Sequence, residues 1–137
     1  MVISLKQCLK VGLFMTKFGM VIVSHVPSIA EGITTLLNEI ASDVPITFAG
    51  GTEDGDIGSS FDKINQAVND NDADDIFAFY DLGSAKMTLE MVIEMSDKTV
   101  HLIDAALIEG AYTAATLIQG QSSYDTIMKQ LDPLKVK

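Results

Sequence analysis

Gly19-Met-Val-Ile-Val-Ser-His-Val-Pro-Ser-Ile-Ala-Glu-Gly32 is the stretch from which the fold can be read. Met20 to Val23 is an apolar, β-branched run with no polar alternation, the mark of a strand buried on both faces and so of a central position in a parallel sheet. It stops at Ser24-His25. Ser28 and Glu31 then match the S-x-x-E capping box, and Ile29, Ile33, Leu36, Leu37 and Ile40 recur at helical spacing, which predicts a helix running to about Ser42. A histidine therefore stands where a buried strand meets a helix. In a parallel sheet that junction lies at the carboxyl edge and faces a helix N-terminus, a setting that favours anions and phosphate.

The same alternation continues along the chain. Pro45-Ile-Thr-Phe-Ala49 predicts a second strand, followed by the glycine-rich loop Gly50-Gly-Thr-Glu-Asp-Gly-Asp-Ile-Gly58. Ser59 or Ser60 caps a helix with Phe61, Ile64, Ala67 and Val68 on one face. Asn69-Asp-Asn-Asp-Ala-Asp-Asp75 imitates the start of a calcium loop but lacks the glycine its sixth position needs, and it reads as a solvated turn. Ile76-Phe-Ala-Phe-Tyr80 is the third strand and ends at Asp81-Leu-Gly-Ser84, where Ser84 can cap a helix containing Met87, Leu89, Met91, Val92 and Met95. Those methionines read as core. Val100-His-Leu-Ile103 is the fourth strand, Ile108 to Ile118 a long helix, and Tyr124 to Leu131 a shorter one ended by Pro133.

Strands alternating with helices predict an α/β fold: an open, mainly parallel four-stranded sheet with helices on both faces and right-handed crossovers. His25, Gly50-Gly51-Thr52 and Asp81-Gly83-Ser84 then all fall at carboxyl ends of strands, where such sheets place their sites.

Composition narrows the function classes. The 137 residues make one domain, and no apolar run reaches the roughly 18 residues a membrane span requires. Met15 is a second candidate start, which sets residues 1–14 apart as an N-terminal extension and 15–137 as the domain. No secretory signal is recognisable, and the single Cys8 excludes a disulfide framework, so a soluble protein of the reducing cytoplasm is expected. A net charge of -10 argues against nucleic acid and suits a partner with a basic surface.

Elimination narrows the chemistry further. The glycines after residue 50 have no P-loop lysine, and G-x-G-x-x-G is absent, so no nucleotide or other cofactor is expected. Ser24 has no nucleophile elbow and, as a strand neighbour of His25, points the other way. Only His25 and His101 could serve zinc, without H-E-x-x-H spacing, so no metal is expected. What remains is histidine as a nucleophile, one ring nitrogen attacking phosphorus while the other donates its hydrogen to a carboxylate. Asp81 is that carboxylate. The Gly50, Gly51 and Thr52 loop, together with Gly83 and Ser84 at a helix start, would meet the phosphoryl oxygens. His101, inside a strand with no second signal, reads as structural.

Val21-Ile-Val-Ser-His25 with Ala30-Glu-Gly32, Gly50-Gly-Thr52, Ile57-Gly-Ser-Ser-Phe-Asp-Lys-Ile64, Asp81-Leu-Gly-Ser-Ala-Lys-Met87 and Ile108-Glu-Gly-Ala111 together resemble the DhaM family. These are phosphocarrier subunits of phosphoenolpyruvate-dependent dihydroxyacetone kinase, similar in turn to the mannose-type EIIA of the sugar phosphotransferase system. The likeness runs from about Met15 almost to Lys137. It implies that His25 accepts phosphate from the histidine phosphocarrier protein HPr and passes it to ADP held by a DhaL subunit, with DhaK binding dihydroxyacetone downstream. It also implies an aspartate, here Asp81, set against the histidine, and a homodimer. A chain of this length has no room for fused carrier domains, so HPr is expected from outside. After Asp81 stands Gly83-Ser-Ala85 where sugar-transport relatives tend to have Gly-Gly-Ser/Thr-Pro, which favours the dihydroxyacetone branch. Two other functions stay open: an EIIA serving a membrane permease, and a receiver-like module phosphorylated on Asp81.

Overall fold

The structure, a computed structural model, describes residues 17–137. The proposed extension, Cys8 and Met15 lie outside the described residues. Strand β1 (Phe18–Ser24) is followed by α1 (Pro27–Ile40), β2 (Ile46–Gly50), α2 (Phe61–Asp70) and β3 (Asp75–Tyr80). Then come α3 (Gly83–Met95), β4 (Thr99–Ile103), α4 (Leu107–Gln119), α5 (Tyr124–Leu131) and a short 3-10 turn, Asp132–Leu134. The strands form one four-stranded sheet, ordered β2-β1-β3-β4, in which every pairing is parallel. The expected fold class is the observed one.

The chain moves one way across the sheet from β1 to β2 and the other way from β2 to β3. Crossovers of one hand then require helices on opposite faces. Phe18, Met20 and Ile22 of β1 and Phe77 and Phe79 of β3 pack with α1, α4 and α5, whereas Val21, Val23, Ala78 and Tyr80 pack with α2 and α3. β1 is buried at every position, as its uninterrupted apolar sequence requires. The reversal of strand order falls between β1 and β3, so their carboxyl ends, Ser24-His25 and Tyr80-Asp81, flank the crevice.

Four local expectations are corrected. Ser28 and Glu31 form no capping box: α1 starts at Pro27, its cap position is Val26, and the Val26 N–H is taken by the Ser24 hydroxyl at 3.1 Å. Proline preset for the first helical position wins over the serine one residue later. The α1 stripe is only partly core, because Ala30, Ile33, Thr34 and Leu37 face inward while Ile29, Leu36 and Ile40 are exposed. On α3 the core residues are Ala85, Leu89 and Val92, and Met87, Met91 and Met95 face outward.

The acidic stretch before β3 is not a merely solvated turn. Asn71 is buried there and donates to the carbonyls of Met20 (3.0 Å) and Pro45 (3.2 Å) and to Thr47 Oγ1 (3.1 Å), while accepting the Ala73 N–H. It thereby ties the amino-terminal edges of β1, β2 and β3 together. His101 behaves as expected: its Nε2 lies 2.6 Å from Asp75 Oδ1, and the ring packs against Phe77 and Tyr124.

Candidate functional site: a histidine held by a saturated carboxylate

His25 lies one residue past β1 and is 8% exposed. Its Nδ1 is 2.7 Å from Asp81 Oδ1, and its backbone N–H donates to Asp81 Oδ2 at 3.0 Å. Ser24 Oγ donates to the same Oδ2 at 2.8 Å, and the Leu82 N–H to Oδ1 at 2.7 Å. Four donors thus occupy the lone-pair positions of one carboxylate. Burial alone would favour the neutral acid, but the His25 amide, the imidazole, the Ser24 hydroxyl and the Leu82 amide outweigh it and hold Asp81 below the ordinary carboxyl range. An ionised Asp81 can only accept, which fixes the proton of the neutral imidazole on Nδ1 and leaves the Nε2 lone pair outward.

Nε2 is met by Ser84 Oγ at 2.5 Å, the serine hydroxyl acting as donor. Ser84 therefore does not cap α3; that helix starts at Gly83 after the cap position Leu82, with no side-chain cap bond. The Gly83 and Ser84 amides lie in the first turn of α3, where helix amides have no intrahelical acceptor and favour an anion.

The glycine-rich loop is placed beside His25 by its backbone. The Gly58 N–H donates to the His25 carbonyl at 3.0 Å and the Gly51 N–H to the Ser24 carbonyl at 3.1 Å. The Thr52 N–H is bonded to Asp56, and its hydroxyl accepts the Asp56 N–H. The Gly51 and Gly58 amides are thus engaged at the strand–helix junction and the Thr52 amide within the loop. Glycine is required at 50 because a Cβ there would come within 2.6 Å of Pro27 Cα, and at 51 because φ is +74°.

Two site residues escaped the sequence. Strand alternation predicts that Ser24 and His25 point apart, yet β1 ends at Ser24 and the chain turns, so both residues reach Asp81. The signal was available: a serine accepting the N–H two residues on is a common turn device. Lys137 gave no signal. Its ammonium donates to the carbonyls of Tyr80 (2.5 Å) and Asp81 (3.0 Å) because the tail runs back beside β4, with the Val136 N–H on the Asp104 carbonyl.

The family described as PTS system fructose IIA component, EIIA-man, matches residues 19–128. Two relatives are similar along nearly their whole length. One is the PTS-dependent dihydroxyacetone kinase phosphotransferase subunit DhaM of Lactococcus lactis, 43% identical over 88% of this chain and 98% of its own. The other is the phosphoryl donor subunit DhaM of PEP-dependent dihydroxyacetone kinase 1 of Listeria innocua, 48% identical over 88% of this chain and 97% of its own. The chain belongs to the EIIA-man family, in its DhaM branch. Among solved structures, that of unknown function protein EF1359 superposes with a TM-score of 0.77 at 30% identity, covering 88% of this chain and 97% of the other. A sigma-54 interaction domain protein from Enterococcus faecalis shares the EIIA-man-like fold at a TM-score of 0.65 and 14% identity.

His25 lines neither of two surface cavities. The larger, about 590 Å³, lies along the free edge of β2 between Pro27 and Asp70, and the other, about 350 Å³, lies near Phe18 and Tyr124. Among the described residues no group of three or more histidines, cysteines and acids could hold a metal, and no helix is long and apolar enough to cross a membrane.

Proposed function

We propose that this EIIA-man protein is the phosphoryl carrier of a phosphoenolpyruvate-dependent dihydroxyacetone kinase. His25 Nε2 attacks the phosphorus of a phosphorylated donor protein, the donor's phosphorus–nitrogen bond breaks, and the phosphoryl group is carried as phosphohistidine. The proton stays on Nδ1 against ionised Asp81, whose charge balances the cation that phosphorylation creates. The Ser84 hydroxyl and the Gly83 and Ser84 amides donate to the incoming phosphoryl oxygens, and Gly50, Gly51 and Thr52 build the wall behind them. The names of the relatives support a phosphoryl donor subunit of a dihydroxyacetone kinase, and the sequence resemblance supports HPr as donor, ADP on a DhaL subunit as acceptor with DhaK downstream, and the cytoplasm as the compartment.

The single observation that carries this reading is the saturated Asp81. A carboxylate with four donors is a fixed orienter of a histidine, not an open acceptor, which speaks against phosphorylation on Asp81 itself. His25→Ala is expected to abolish labelling from phosphoenolpyruvate in the presence of enzyme I and HPr, and His101→Ala to leave it intact. Label surviving the first change would remove the assignment, as would a label stable in acid and lost in alkali. Transfer from labelled protein to ADP on DhaL, but not to a sugar permease component, separates the dihydroxyacetone branch from sugar transport.

A homodimer is part of the same proposal. Ile29, Leu36 and Ile40 on α1 and Phe48 on β2 are exposed together on one face, and the edge strand Ile46–Gly50 carries no charge or proline to discourage pairing.

A further inference from the structure

The outward methionines of α3 are not scattered. Met87, Met91 and Met95 are 71%, 55% and 73% exposed, and Leu82, at the cap position, is 61% exposed. Counting from Ser84, steps of three, four and four residues keep the methionines on the side of the helix that carries the Ser84 hydroxyl to His25 Nε2. A ridge carrying these thioethers therefore runs about 16 Å along α3 from Ser84, beside the reactive nitrogen, to Met95. Its inner margin is fixed by Thr88, whose hydroxyl bonds Ser59 at 3.1 Å. Its outer margin carries exposed Glu90 and Glu94.

We infer that the Leu82–Met87–Met91–Met95 ridge is the docking surface for the protein that delivers the phosphoryl group, and that this partner presents an apolar centre with a basic rim. The inference rests on His25 being the phosphoryl acceptor. Any protein bringing phosphorus to Nε2 must approach over Ser84, and the ridge is an apolar surface continuous with that approach. Methionine suits it: an unbranched, polarisable side chain repacks against differently shaped surfaces, as a carrier that meets a donor and then an acceptor requires. The acidic margin and the net charge of -10 select the partner's sign. They also argue against a second copy here, since two such faces would set Glu90 and Glu94 of each against like charges.

The test compares unaltered protein with Met87→Ser/Met91→Ser/Met95→Ser and with Glu90→Lys/Glu94→Lys. Initial rates of His25 labelling are measured against phospho-HPr concentration at several salt concentrations. Labelling by phosphoramidate, which needs no docking, is measured beside them. The methionine variant is expected to raise KM for phospho-HPr about tenfold, with kcat and phosphoramidate labelling unchanged. The lysine variant is expected to raise KM and to lose the fall in rate with salt. An unchanged KM in both variants overturns the inference. So does a methionine variant that sediments as a monomer where the unaltered protein is a dimer, because the ridge is then a face between copies. Failure of phosphoramidate and phospho-HPr alike to label His25 in the unaltered protein overturns the phosphohistidine reading beneath it, and the two failures are thus told apart.

Discussion

Asp81 is a residue whose charge state follows from its contacts. Its four donors hold the carboxyl below its ordinary range, so across the neutral range the Nδ1 proton of His25 always has an acceptor. Replacement by asparagine keeps the shape but offers an amide that can donate to Nδ1, which drives the proton to Nε2 and closes the nucleophile. Asp81→Asn is therefore expected to slow labelling by about 100-fold or more with little change in KM, read in single-turnover transfer from phospho-HPr. The same contacts set an acid limb of stability. Because the folded pKa lies below the unfolded one, the contribution of Asp81 is complete above about pH 3.9 and is lost as pH falls from there through the folded value. Urea unfolding between pH 5 and pH 2.5 should show a shallower acid loss in Asp81→Asn than in the unaltered protein.

At the scale of elements, the loops decide which serine matters. Ser60 caps α2 by accepting the Lys63 N–H at 3.1 Å and donates to Glu53 Oε1 at 2.5 Å, whereas Ser28 sits inside the first turn of α1 without a cap bond. Ser60→Ala should cost about 1 kcal/mol in urea unfolding. Ser28→Ala should stay within about 0.5 kcal/mol. Asn71 is the costlier position, since it joins three strands through one buried amide, and Asn71→Ala should cost about 2–4 kcal/mol by leaving acceptors unmatched.

For the whole molecule, strand order is what makes a site. Placing β1 beside β3 brings His25 against Asp81 across 56 residues of sequence, and the opposite faces of the sheet keep two apolar surfaces apart. α1 with Phe48 lies on one face and the α3 methionines on the other. If the first surface joins two copies, Leu36→Asp with Phe48→Ser should give a monomer in sedimentation while His25 labelling persists.

The sequence by itself determined the order of elements, the parallel sheet and the His25–Asp81 pairing, because buried strands leave uninterrupted apolar runs and site residues stand where those runs stop. The face of each helix that meets the sheet was less legible: α1 buries Ala30, Ile33, Thr34 and Leu37 and α3 buries Ala85, Leu89 and Val92, while Ile29, Leu36, Ile40 and the α3 methionines face outward, because apolar residues stand on more of each helix than the face the sheet covers. Only the tertiary structure decided that Ser24 shares Asp81 with His25, that Ser84 bonds Nε2 instead of capping a helix, and that Lys137 reaches the carbonyl of Asp81. Each of those depends on where a chain turns or returns in space, and hydrophobic periodicity carries no record of that.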